Sequence, residues 1–286
     1  MLTLPVPETL YATYAVASGG PVEDPGGVAR VEVARRVPPP LRDLALGMLD
    51  SPMITLDLRP AAEFPPLPAD LLAVYRATAG DLAAIDAATH VLVVRAAYRP
   101  GRPPAHEWAA RAVAGAVGAA LAAPVIDVFT PQVLTREHLE RSLPAPDGTF
   151  RLTDWMLLPH TSAPGGFWFT TKGLARFGLP ELQTENVPPH LVEPWGLLMN
   201  GLARRLLDLW LDALSAGAVT VDVPDRISVA SHHVAAAQGA AADADPEREV
   251  SVRLRLVPGE VRAVLAEGDG DLDALCSALF GAPSAG

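Results

Sequence analysis

The run HVLVVRAAY at residues 90–98 is followed by an Ala- and Gly-rich run at 105–123 and then by VIDVF at 125–129. The first is almost continuously apolar and holds three valines, the pattern of a strand buried on both faces. The second reads as a helix. Its Gly115 and Gly118 lie three apart, so small residues on one face let it approach a sheet closely. The third reads as another strand. Working outward, residues 53–58 form a short apolar strand. Asp70 then starts a helix whose Leu71, Val74, Tyr75, Leu82 and Ile85 recur at helical spacing. The order β-α-β-α-β predicts a layered α/β unit with right-handed crossovers. A short helix follows at 135–143.

Toward the N-terminus, residues 11–17 and 28–33 read as strands around a Gly/Pro-rich loop at 19–27. Pro38, Pro39 and Pro40 open a helix at 41–49. Toward the C-terminus, 155–158 and 167–171 read as strands joined by a turn at Pro164, Gly165 and Gly166, with a loop at 180–189. A long amphipathic helix is predicted near 191–214, where Leu191, Trp195, Leu198, Leu202, Leu206, Trp210 and Leu214 keep three-and-four spacing. Strands follow at 219–223 and 250–257, the latter alternating cleanly. Residues 235–249 read as a loop or weak helix, and 282–286 as a disordered tail. The expected class is α+β or α/β: a mixed sheet with helices on at least one face. The 286 residues make one domain, or two subdomains divided near 145–152.

Half the chain is hydrophobic and 19% is charged, which excludes a disordered polypeptide. A net charge of −11 argues against a nucleic-acid partner, because phosphate binding needs a positive field. The first 16 residues carry no Lys or Arg, so no secretory signal is expected, and no apolar run reaches the roughly 20 residues of a membrane span. A soluble, cytoplasmic protein is expected. One cysteine, Cys276, excludes an internal disulfide and a Cys-based metal site. It sits in an apolar helical pattern with Leu272, Leu275 and Leu279, as an inert core thiol would. No metal motif, phosphate loop or nucleophile elbow is present, so no metal and no cofactor are expected. The adjacent His232 and His233 diverge on either a strand or a helix.

Of the 22 basic residues, Lys172 is the sole lysine, and Asn186 and Asn200 are the sole asparagines. This composition marks a high-GC, bacterial coding bias. The exceptions gather between Asp154 and Asn200, with Trp155, Trp168 and Trp195. Aromatic walls with a few polar groups describe a small-ligand pocket; they equally describe a hairpin and helix packing a core. The candidate binding residues are Trp155, His160, Trp168, Thr170, Thr171, Lys172, Gly173, Glu181, Glu185 and Asn186. Gly173 and Gly178 bracket one helical turn carrying Leu174 and Phe177. Lys172 lies just before that turn and Glu181 just after it, so an ion pair or a shared ligand is feasible.

From Thr171 to Glu181 the chain resembles the T-x-G-L-x-x-F-G-x-x-E stretch of uncharacterised bacterial families known only as domains of unknown function. In those families a strand, an Ala-rich helix and a strand often precede it, as in 90–129 here. The resemblance covers residues 90–214 and implies no activity. Three readings remain open. One is a non-catalytic accessory protein that binds a small molecule or a protein through the segment 155–200. Another is an enzyme using Lys172 with Glu181 or Glu185, and His160 as acid or base. The third is a homo-oligomer that buries its exposed aromatics against a second copy.

Overall fold

The computed structural model describes residues 1–65, 68–75, 77–240, 248–257, 260–264 and 271–281. The chain divides into two compact units, Glu8–Phe150 and the pair Met1–Pro7 with Arg151–Gly286. Strand β1 (Leu2–Pro5) therefore belongs to the unit built mostly from the C-terminal half.

The unit Glu8–Phe150 contains β2 (Leu10–Ser18), α1 (Pro25–Arg36), α2 (Leu41–Leu49), β3 (Ile54–Pro60), α3 (Ala69–Val74), α4 (Ala79–Asp86), β4 (His90–Tyr98), α5 (Ala105–Leu121), β5 (Val125–Asp127), β6 (Gln132–Leu134) and α6 (Arg136–Ser142). The sheet runs β3-β4-β2-β5-β6, and every neighbouring pair is antiparallel. This corrects the expected parallel crossovers. β4 and β5 do run the same way and are joined through α5, but β2 is inserted between them. Helix α5 packs on the face holding Tyr14, Val16, Leu92 and Val94, with α1 and α2 against it. On the opposite face, Ala15, Ala17, Val91 and Ile126 meet Leu72 of α3 and Leu82 and Ile85 of α4. Burial on both faces explains why β4 reads as a continuous apolar run.

Two local expectations are revised here. Residues 28–33 are helical, not extended. Asp24 caps α1 by accepting the Gly27 N–H at 2.8 Å, Pro25 supplies the first helical residue, and Glu32 pairs with Arg35 and Arg36 one turn on. These helix-starting contacts override the β preference of three valines. The single helix expected after Asp70 is two, because Thr78 and Asp81 form a capping box that starts α4 afresh.

The other unit contains β1 and then β7 (His160–Ala163), β8 (Gly166–Thr170), β9 (Glu181–Val187), α7 (Val192–Ser215), β10 (Thr220–Val223), β11 (Arg226–Ala230), α8 (Ser231–Gln238), β12 (Glu249–Val257), β13 (Glu260–Val264) and α9 (Leu272–Phe280). β1 pairs with β10. The remaining strands form a mixed sheet in the order β11-β12-β13-β9-β8-β7, parallel at β13–β9 and antiparallel elsewhere. Its inner face buries Ile227, Val229, Val250, Val252, Leu254, Leu182 and Phe169. Helix α7 lies on that side, with Gly201 directly against Val229 and Val234. The fold is thus α+β, with helices packed on sheets and a long amphipathic helix where the apolar spacing places it.

The strand expected at 155–158 is instead a short 3-10 turn, Leu152–Asp154, followed by irregular chain. The hairpin partner of β8 is the later segment β7. The loop expected at 180–189 is mostly strand β9, an interior member of the sheet. Residues 235–238 end α8, whereas 241–247 lie outside the described residues, as does the tail at 282–286 for which disorder is expected. Among the described residues no helix is long and apolar enough to cross a membrane.

Candidate functional site

Glu181 organises the segment singled out by composition. Gly173, at φ +122°, opens the 3-10 turn Leu174–Phe177, and Gly178, at φ +89°, closes it; both angles lie where residues with a Cβ are strained. The chain then returns beside Thr171. There the Glu181 carboxylate accepts the Thr171 hydroxyl at 2.6 Å and the N–H groups of Gly173, Ala175 and Leu174 at 2.9, 3.1 and 3.3 Å. The Thr171 oxygen in turn accepts the Leu182 N–H at 2.8 Å. Leu174 and Phe177 point inward, and the Phe177 carbonyl accepts the Trp210 indole N–H at 2.7 Å. The T-x-G-L-x-x-F-G-x-x-E pattern is therefore a physical unit, a tight turn whose N–H groups are gathered by one carboxylate.

That arrangement places the ten candidate residues in different roles. Trp155 is fully buried, packed against Phe177 at 6.5 Å with the Arg176 guanidinium 5.6 Å above its ring. It is a core residue, which corrects its reading as a pocket wall. Thr171 and Gly173 are buried in the turn. Lys172 is half-buried, and its backbone N–H and C=O both bond to Leu157, at 2.8 and 2.9 Å. The Lys172–Glu181 ion pair weighed from the sequence does not form, because both carboxylate oxygens serve the turn. Glu185 pairs with Arg262 at 3.0 Å. Asn186 adopts φ +60° where the β8–β9 register slips, and its side chain fills the space beside Gly165.

His160, Trp168 and Thr170 occupy the β7–β8 hairpin. His160 is exposed and stacks on Phe169 at 5.0 Å. Trp168 and Thr170 alternate with the buried Phe169, so both lie on the outer face of the sheet, half-exposed. The Trp168 indole donates to the Gln183 side-chain oxygen at 3.3 Å. In register beside them the same face carries Thr161, Gln183, Arg262, Arg255, Arg253 and Arg226.

A second set of residues was not singled out from the sequence. On α5, Glu107 accepts the Tyr14 hydroxyl at 2.9 Å, Arg111 donates to that hydroxyl at 3.1 Å, and Arg111 pairs with Asp127 at 2.9 Å. All of these groups are buried. The signal was available: Glu107 and Arg111 stand four apart on an Ala-rich helix, and Asp127 interrupts an apolar strand. Arg111 also reaches a cleft of about 700 Å³ between α5, α6 and β6, walled by Ala112, Gly115, Ala116, Ala119, Val133 and Leu139. The cleft's other charged groups are matched within the fold, Arg136 by Glu140, Arg36 by Glu32, and Asp81 by the Thr78 N–H and hydroxyl that it accepts. Its polar groups thus serve the scaffold.

Among the described residues no cluster of three or more His, Cys, Asp or Glu side chains is placed to hold a metal ion. The His232 and His233 rings touch, Nε2 to Nε2 at 3.1 Å, and His233 Nδ1 accepts the Ala230 N–H at 2.9 Å, which ties the pair to the start of α8. Compared with family models, curated proteins and solved structures, the chain matches none.

Proposed function

We propose that the chain is a non-catalytic accessory protein of the cytoplasm that binds a partner protein through the outer face of the sheet β11-β12-β13-β9-β8-β7. One observation carries this reading. The sheet's inner face is lined by buried aliphatic and aromatic side chains, while its outer face presents Trp168 among Thr161, Thr170, Gln183 and a group of arginines. Tryptophan is among the residues that most often anchor protein interfaces. The hairpin edge adds to this surface. Pro159 C=O accepts the Thr170 N–H, so by antiparallel alternation the backbone groups of His160 and Ser162 face outward, and the four residues of β7 are exposed and free of acid, Lys or Pro. The acid–base alternative needs a carboxylate available to Lys172. Glu181 and Glu185 are engaged elsewhere, which favours binding over catalysis.

The test is site-specific photo-crosslinking in the cells that make the protein. A benzophenone side chain at Thr161 is expected to give a discrete heterologous adduct, the same group at exposed Glu137 none, and Trp168→Ala to abolish the adduct. An adduct with a second copy alone would show a homo-oligomer. No adduct from Thr161 would overturn the reading.

A further inference from the structure

We propose that the partner segment received by this face is acidic, held by two cross-strand arginine pairs. The inference rests on the reading above and names the chemistry of the partner. Arg226 lies directly opposite Arg253 on β11 and β12, and Arg255 directly opposite Arg262 on β12 and β13. Arg253 and Arg255 are two apart on one strand, so all four project from the same side of the sheet. Arg226, Arg253 and Arg255 are exposed, and the Arg262 side chain is one-third exposed. Directly opposite residues of an antiparallel pair have Cβ atoms only about 4.5–5.5 Å apart, and like charges there destabilise the sheet. Two such pairs stand in succession, whereas Ser228 opposite Ser251 is neutral two residues along.

Because nearly every cation in this chain is Arg, the residue type carries no information; the placement does. Acids also face the group. Glu185 contacts Arg262, and Asp225, paired with the N-terminal amine at 3.4 Å, lies near Arg253. A bound acidic strand would extend that pattern, each carboxylate bridging guanidinium groups in bidentate fashion. A continuous polyphosphate fits less well, because it meets the long-range field of a chain with net charge −11, whereas a short acidic segment contributes few charges. Trp168 and Gln183, farther along the same face, would take apolar and amide groups of the partner.

The experiment measures binding of a fluorescent peptide of about twelve residues, alternating Glu and Gly, to the full chain by anisotropy, against a Gly/Ser peptide and an oligo-dT of similar length. The acidic peptide is expected to bind, the neutral one not, and oligo-dT more weakly. Arg253→Ser with Arg255→Ser should weaken the peptide at least about tenfold, with melting temperature and circular dichroism retained. Raising salt from about 50 to about 300 mM should weaken it further, as screening requires. No binding of the acidic peptide, unchanged binding by the double variant, or tighter binding of oligo-dT would each overturn the inference. The crosslink at Thr161 separates the two claims. If it persists in the double variant while the acidic peptide fails to bind, partner binding stands and the acidic partner falls. If it is absent from the wild type, partner binding itself falls.

Discussion

At Glu181 a single carboxylate accepts one hydroxyl and three backbone N–H groups, so its removal strands several donors at once. Glu181→Gln keeps the volume but turns an N–H₂ toward those donors. It is expected to lower unfolding stability by about 1.5–3 kcal/mol, the range for a lost hydrogen bond to a charged group. An unfolding free energy within about 0.5 kcal/mol of wild type, from denaturant titration, would refute the hub. Cys276 gives a second residue-scale expectation. Burial, with Asp273 nearby, pushes its thiol up to about 11, so native protein should react with a disulfide reagent at pH 8 far more slowly than unfolded protein. Because the folded pKa is the higher one, the thiol's contribution to stability is full below the ordinary thiol value near 9 and is lost as pH rises toward about 11. Rapid native labelling would contradict this. The sequence shows why such roles divide unevenly between legible and hidden. The pattern from Thr171 to Glu181 marks a conformational requirement that only the folded turn explains. The rarity of lysine drew attention to Lys172, but composition cannot distinguish a side chain needed for its ammonium from one whose backbone pairs with Leu157.

At the scale of elements, legibility followed burial. β4 and α7 were readable because their apolar spacing is set by burial, on both faces for β4 and along one stripe for α7. β9 was not, since Glu181, Gln183, Glu185 and Asn186 are poor strand formers, and its place is fixed by neighbours on both sides. α5 shows a finer distinction. Their spacing places the glycines of the 105–123 helix on one sheet-facing surface, yet they meet different neighbours. A Cβ at Gly118 would intrude on Val125 Cγ2 of β5 and come within 3.2 Å of the Ala123 carbonyl, whereas one at Gly115 would meet Leu139 of α6 at 3.3 Å. Gly118→Ala must therefore displace a strand and a backbone oxygen, and is expected to destabilise by about 1–3 kcal/mol. Gly115→Ala meets a side chain that can rotate and gains up to about 1 kcal/mol of helix propensity, so it should be neutral or stabilising. Thermal melts of the two single variants decide the point, and equal melting temperatures would show that both glycines face the same packing.

For the whole molecule, the division at Phe150 and Arg151 makes one unit continuous and the other split, because Met1–Pro7 belongs with Arg151–Gly286. Nothing in the first seven residues announces this in sequence, since the pairing partner of β1 lies more than 200 residues away. In the structure the segment is tied in along its length. Leu2 through Pro5 pair with Val223 through Thr220, the Val6 N–H donates to the Val219 carbonyl at 3.1 Å, and Pro7 closes on Gly178. Leu4 is buried, and with Leu2 it lines an apolar space walled by Leu174, Leu206, Val223 and Leu254. Leu4→Ala should thus cost about 2–5 kcal/mol. The same contacts predict how fragments behave. Residues 8–150 retain every strand of their sheet, so they should unfold cooperatively when produced alone. Residues 151–286 lose the partner of β10 and expose the apolar space beneath it, so they should be destabilised and prone to associate. Adding a peptide of residues 1–7 should raise their melting temperature in proportion to the logarithm of its concentration, as a ligand of the folded form does. If residues 151–286 melt as sharply and as high without the peptide as with it, β1 is an ornament on the unit and not one of its strands.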